Sequence, residues 1–105
     1  MNHLKDALFS EYTLNGLRLK NRIVMAPMTR NFSPGGVPNE YAPTYYSKRA
    51  SGGVGLIMTE GVEVSHPAAS GYPDCPNLES DAAKKMWEKV VSEVHANGSS
   101  IFCQL

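Results

Sequence analysis

Three polar positions in this sequence stand where a parallel α/β protein keeps its chemistry, at the carboxyl ends of apolar runs: Thr29, Glu60-Gly61 and Gln104. A hydroxyl, backbone bared at a glycine and a carboxamide supply hydrogen bonds without a strong nucleophile. Such a set suits binding of a neutral, hydrogen-bonding heterocycle better than acid–base catalysis. The sequence holds no G-x-S-x-G elbow, no P-loop, no G-x-G-x-x-G and no His/Cys metal cluster, so no metal is expected. His66, in a proline-flanked loop, and His95, on a predicted helix, read as structural or solvent-facing. Cys75 and Cys103 match no metal or redox spacing, and Cys103, inside an apolar run, is expected in the core. Taken singly, Thr29 could cap the loop that follows, Gln104 is a strand-end amide and Tyr72 a turn aromatic. Glu60 reads as a structural acid paired with a basic group.

Those groups need strands to present them. Arg22 to Ala26 is a short apolar run broken at Pro27, and it predicts the first main strand. Ahead of it, Tyr12 to Leu19 alternates around Asn15-Gly16, the strongest short hairpin signal, so a hairpin is expected over about 11–20. A Ser/Pro/Gly-rich loop over 31–39 leads to a helix starting near Pro43, which suits a first turn, and stopping at Ser51-Gly52-Gly53. Val54 to Thr59 is continuously apolar, as in a strand buried on both faces, and Glu60-Gly61 should end it. The next loop runs through Asn77, and Pro67, Gly71, Pro73 and Pro76 argue against regular structure in it. Loops that long are usually functional. Ser80 then caps a helix whose Met86, Trp87, Val90, Val91 and Val94 form one apolar stripe, stopped at Asn97-Gly98. Ser100 to Leu105 predicts a third buried strand.

The order is a hairpin followed by βαβαβ, and right-handed crossovers would lay the strands parallel. Three strands leave a bare sheet face and raw edges, so the chain reads as the opening of a larger α/β protein. Composition is that of an ordinary globular protein, 42% hydrophobic and 19% charged, with ten basic and ten acidic residues in 105. That balance offers no electrostatic footprint for nucleic acid. The first ten residues lack the apolar core of a secretory leader, and no run is long enough to span a membrane. A reducing cytoplasm fits these features.

Several segments, taken in order, carry a family resemblance. Asn21-Arg22-Ile23-Val24-Met25-Ala26-Pro27-Met28-Thr29-Arg30 is followed by Tyr45-Tyr46 with Arg49-Ala50, and by Gly53 to Gly61. Gly71-Tyr72-Pro73 and Phe102-Cys103-Gln104-Leu105 complete the series. Together they resemble the old yellow enzyme family, FMN-dependent ene-reductases on a (β/α)8 TIM barrel. The resemblance implies an α/β chain covering 1–105 as the N-terminal portion of such a barrel. The barrel would be incomplete, since the fold needs about 250 residues. It implies that Pro27 and Met28 lie along the flavin, that Thr29 hydrogen-bonds flavin O4, and that the Gly61 backbone approaches the ring. Gln104 would pair with the pyrimidine edge, and Tyr72 would face the substrate side of the pocket. A hydroxyl at O4 should stabilise the reduced ring; a related subgroup has cysteine there, and Thr29 sets this chain apart from it.

The implied activity is hydride transfer from NAD(P)H through FMN to an activated alkene such as an enone. The family's carbonyl-polarising His/Asn or His/His pair, its proton-donating tyrosine, its arginine near N1 and its phosphate-binding segment all lie beyond the third strand. No catalytic residue is therefore assigned here, and the chain alone is expected to bind FMN weakly or not at all and not to turn over. Other readings stay open. One is a piece of a dienoyl-CoA-reductase-type flavin enzyme. A second is a non-catalytic barrel fragment that joins a partner chain or self-associates through its open sheet edges. A third is a degenerate fragment without a stable fold.

Overall fold

The computed structural model describes residues 3–105. Met1 and Asn2, which open the stretch read as lacking a secretory leader, lie outside the described residues. The chain runs through α1 (His3–Leu8), β1 (Tyr12–Leu14), β2 (Leu17–Leu19), β3 (Val24–Met25), α2 (Ala42–Ser51), β4 (Leu56–Gly61), α3 (Asp81–Ala96) and β5 (Ser100–Gln104). Single 3₁₀ turns lie at Pro34–Gly36 and Pro67–Ala69.

The hairpin forms where Asn15-Gly16 places it, with Tyr12 opposite Leu19 and both turn residues at positive φ (47° and 89°). That geometry matches the right-handed twist of the strands it joins. The expected parallel sheet is present in the order β3-β4-β5, with α2 and α3 packed against each other. Strand β3 is shorter than the expected Arg22–Ala26. Its start is taken over by Asn21, whose side chain accepts from Ile23 N–H (3.0 Å) and donates to the Gly53 carbonyl (2.5 Å). Gly55 has no room for a side chain there, because a Cβ would collide with Asn21.

Pro43 occupies the first turn of α2 as expected. Helix α3 begins at Ser80, whose hydroxyl accepts from Ala83 N–H at 3.0 Å and so satisfies one orphan donor of the first turn. Trp87, Val90 and Val94 of its apolar stripe are buried with Tyr46, Ala42 and Ala50 of α2 and with Ile57 and Val62. This cluster is the core, and it lies on one side of the sheet. No helix among the described residues is long and apolar enough to cross a membrane.

Four expectations need correction. Glu60-Gly61 does not end the second strand but forms the last part of β4. The long loop after it carries the 3₁₀ turn at Pro67–Ala69 and an isolated parallel bridge between Glu63 and Asn77, because prolines are acceptable in a first turn and His66 Nδ1 accepts from Ala68 N–H. The third strand is not buried along its length: Ser100 and Ile101 are half-buried, but Phe102, Cys103 and Gln104 are exposed, since among the described residues β5 pairs only with β4. Cys103 is accordingly not a core residue. Helix α1 was not anticipated; it buries none of its residues, so no apolar periodicity announces it.

Candidate functional site

Pro27 ends β3 by lacking an N–H for the ladder, and the chain leaves the sheet with Thr29 exposed at its carboxyl end. Strands β4 and β5 deliver Gly61 and Gln104 at the same end, paired in register. A cavity of about 430 Å³ opens there, lined by Thr29, Gly61, Tyr72 and Gln104 together with Glu63 and Cys75. Four of the residues singled out from the sequence thus share one concave surface. Pro27 and Met28 do not line it; both are exposed immediately before Thr29, Met28 at 65%. Tyr72 stands on the rim, 62% exposed, in the loop that follows β4.

The Gly61–Gln104 pairing depends on an irregularity in β4. Met58 pairs with Phe102 and Gly61 with Gln104, so Thr59 and Glu60 together oppose Cys103 alone. This is a β-bulge, which re-aims the residues that follow it. The bulge removes a backbone acceptor from β5, and the Thr59 hydroxyl replaces it by accepting from Gln104 N–H (3.0 Å). The same hydroxyl donates to the Glu60 carbonyl at 2.8 Å, and Thr59 is 3% exposed. Past the bulge the ladder resumes, with Val62 N–H donating to the Gln104 carbonyl at 2.8 Å. Thr59 went unremarked in the sequence because it closes an otherwise apolar run.

Glu60 is the structural acid expected of it. Its carboxylate is buried and receives Arg30 Nη1 at 3.3 Å and the Tyr46 hydroxyl at 3.1 Å. Burial, ahead of the nearby Glu60 charge, pushes the Tyr46 phenol well above the usual tyrosine range. Tyr45 and Tyr46 pack against the core cluster between helix and sheet, their rings edge to face at 5.0 Å. His66 serves as a turn cap, and His95 is exposed near the end of α3. Burial, followed by the charges of Glu63, Glu60 and Asp74, raises the Cys75 thiol, which keeps it protonated.

The cavity wall fits a flat heterocycle. A Cβ added at Gly61 would meet only Gln104 Oε1, at 3.8 Å, so the space before this glycine is left free by the protein's own atoms. Among the described residues neither the Thr29 hydroxyl nor the Gln104 carboxamide has a protein partner. Glu63, on the same wall, keeps one carboxylate oxygen buried without a hydrogen bond. The site therefore presents the Thr29 hydroxyl, the Gln104 carboxamide and a bare stretch of backbone, with the Tyr72 phenol on the rim and an unfilled acceptor nearby. Among the described residues no group of three His, Cys, Asp or Glu could hold a metal ion.

Residues 7–105 match the model of the NADH:flavin oxidoreductase / NADH oxidase family. The chain is 45% identical over 98 residues to 12-oxophytodienoate reductase 7 of Oryza sativa subsp. japonica, covering 93% of this chain and 24% of that protein. It is 40% identical over 98 residues to 12-oxophytodienoate reductase 2 of Arabidopsis thaliana, covering 93% and 26%. Among solved structures it superposes on morphinone reductase in complex with tetrahydroNAD, with a TM-score of 0.86 and 42% identity over 94% of this chain and 26% of that one. The old yellow enzyme homologue from Zymomonas mobilis gives 0.85 and 38%, over 94% and 27%. The chain spans about a quarter of the length of the relatives it matches.

Proposed function

The chain belongs to the NADH:flavin oxidoreductase / NADH oxidase family, and from that premise we propose that residues 1–105 form the opening strands of an FMN-binding barrel and one wall of its flavin site. The whole protein would be an ene-reductase, moving hydride from NAD(P)H to an activated alkene. Support for the substrate class comes from the relatives, which are named as reductases of 12-oxophytodienoate and of morphinone, carbonyl compounds by name. The observation that carries the reading is the convergence of Thr29, Gly61, Gln104 and Tyr72 on one cavity at the carboxyl ends of parallel strands.

FMN, when bound, supplies the hydride relay between NAD(P)H and the alkene. This chain's residues would do the holding. The Thr29 hydroxyl would donate to the ring carbonyl where electron density grows on reduction, favouring the reduced form. Gln104 would read the pyrimidine edge with a donor and an acceptor from one carboxamide. Gly61 would let the ring lie against backbone, and Pro27 and Met28 would continue that surface with main chain. Tyr72, in the loop after β4, would border the substrate.

Among the described residues the outer edge of β5 is unpaired; a further segment would continue the barrel there, and self-association through the same edge is the alternative reading. The test is a visible spectrum of the purified chain after addition of FMN and desalting. Three of eight barrel strands lack a phosphate-binding segment, so the 105-residue chain is expected to retain little flavin, whereas titration should quench free FMN fluorescence weakly and saturably. Loss of that quenching in Q104A supports the site; quenching that ignores Q104A and T29A would overturn it.

A further inference from the structure

The residues flanking two of the proposed cofactor contacts are themselves joined. Arg30 follows Thr29 and Glu60 precedes Gly61, and the two side chains meet at 3.3 Å with the guanidinium 10% and the carboxylate 1% exposed. Arg30 Cζ lies 3.8 Å from the centroid of the Tyr45 ring, with Phe32 and Tyr46 at 5.7 and 5.8 Å. The Tyr46 hydroxyl donates to Glu60 Oε1 (3.1 Å) and accepts Glu60 N–H (3.0 Å). Three elements therefore converge on one carboxylate: the segment after β3, helix α2 and the bulged end of β4.

Burying an ion pair costs desolvation that its attraction only about offsets, and apolar residues of equal volume often hold a fold as well. What apolar contacts would not supply is direction. The planar guanidinium is fixed by a ring beneath it and a carboxylate at its edge, and the carboxylate is fixed by a phenol. The geometry points to Arg30 as a positioning residue that, through Glu60, sets the spacing of Thr29 and Gly61 across the mouth of the cavity. A pair present only for stability would leave the two contacts independent. The inference rests on the proposed flavin site for one of its two measurements; the other uses the chain without FMN.

The informative variant is R30K, which keeps the charge and loses the planar stack. In the FMN-free chain, R30K should displace the amide resonances of Thr29 and Gly61 together while those of Val90 and Val94 in the core stay put. Unmoved Thr29 or Gly61 resonances in a folded R30K overturn the inference. If R30K does not fold, Y46F decides, since loss of the phenol should release Glu60 and move the same two resonances. With FMN, T29A and R30K should each weaken binding about tenfold, and the double variant also only about tenfold, because coupled residues are not additive. The bound-flavin absorption maximum should shift in T29A and no further in the double variant. Independent losses multiplying to about a hundredfold would refute positioning through Thr29. If the 105-residue chain binds FMN too weakly to titrate, the resonances alone judge Arg30.

Discussion

The two faces of the β3-β4-β5 sheet are covered unequally. On the helix side Tyr46, Ile57, Val90 and Val94 are fully buried and the polar Glu60 is partnered by two side chains. On the other side the cover is uneven: Leu56 is buried and Met58 half-buried, whereas Val24 beside Leu56 is 51% and Phe102 beside Met58 38% exposed. The difference is not one of composition, since both faces are apolar. It is one of cover: a parallel strand is built to be buried on both faces, and here helices α2 and α3 cover one. Stability should therefore reside on the helix side, and the other face should be a liability for solubility.

The sharpest way to break this comparison is Trp87→Ala. Trp87 is 7% exposed and donates its indole N–H to the Asn77 carbonyl at 3.3 Å. Truncating a buried tryptophan costs about 3–5 kcal/mol, a large share of what a chain this size can hold. Cooperative urea unfolding should be lost; an unchanged midpoint would mean that the helix side is not the source of stability. A smaller effect comes from Tyr46. Its phenol is raised in the folded chain, so above the ordinary value of about pH 10 the unfolded state loses a proton that the folded state keeps. Stability is whole below that pH and should fall above it by about 1.4 kcal/mol per unit at most. Denaturation followed from pH 9 upward should show this slope, and Tyr46→Phe should abolish the Tyr46 part of it. The smallest effect belongs to the bare face. Phe102→Ser should change unfolding free energy by no more than about 0.5 kcal/mol and reduce any concentration-dependent increase in size on gel filtration. A loss above about 1 kcal/mol would show the face to be covered in solution.

What was legible in the sequence follows the same division. Helix α3 could be read end to end because its cap, its stripe and its stop are local features, and the hairpin because Asn15-Gly16 admits few alternatives. The convergence of Thr29, Gly61 and Gln104 was legible because parallel strands deliver their carboxyl ends together. The exposure of Cys103 was not, because an apolar run records what a strand is built to meet, not whether a neighbour is there. Nor was the bridging role of Thr59: a threonine in an apolar run looks like any β-branched strand residue. Its hydroxyl matters only because β4 carries one residue more than β5 at that point. The partner of Glu60 was anticipated as some basic group, and only the packing of α2 against the strand ends singled out Arg30.

The extra residue in β4 acts on geometry as a frameshift acts on a message. Upstream of it side chains alternate between the two faces; at it, Glu60 turns to Tyr46 of α2 while its neighbour Thr59 borders Trp87 and Val91 of α3. Everything downstream is read in the new phase, including Gly61 and the cavity wall after it. Insertions and deletions are ordinarily absorbed by loops, but the interval from Met58 to Gly61 has a fixed count. Deleting one residue there would restore the alternation and turn Gly61 away from Thr29. In this chain the punctuation of a strand, as much as its words, decides where the cavity opens.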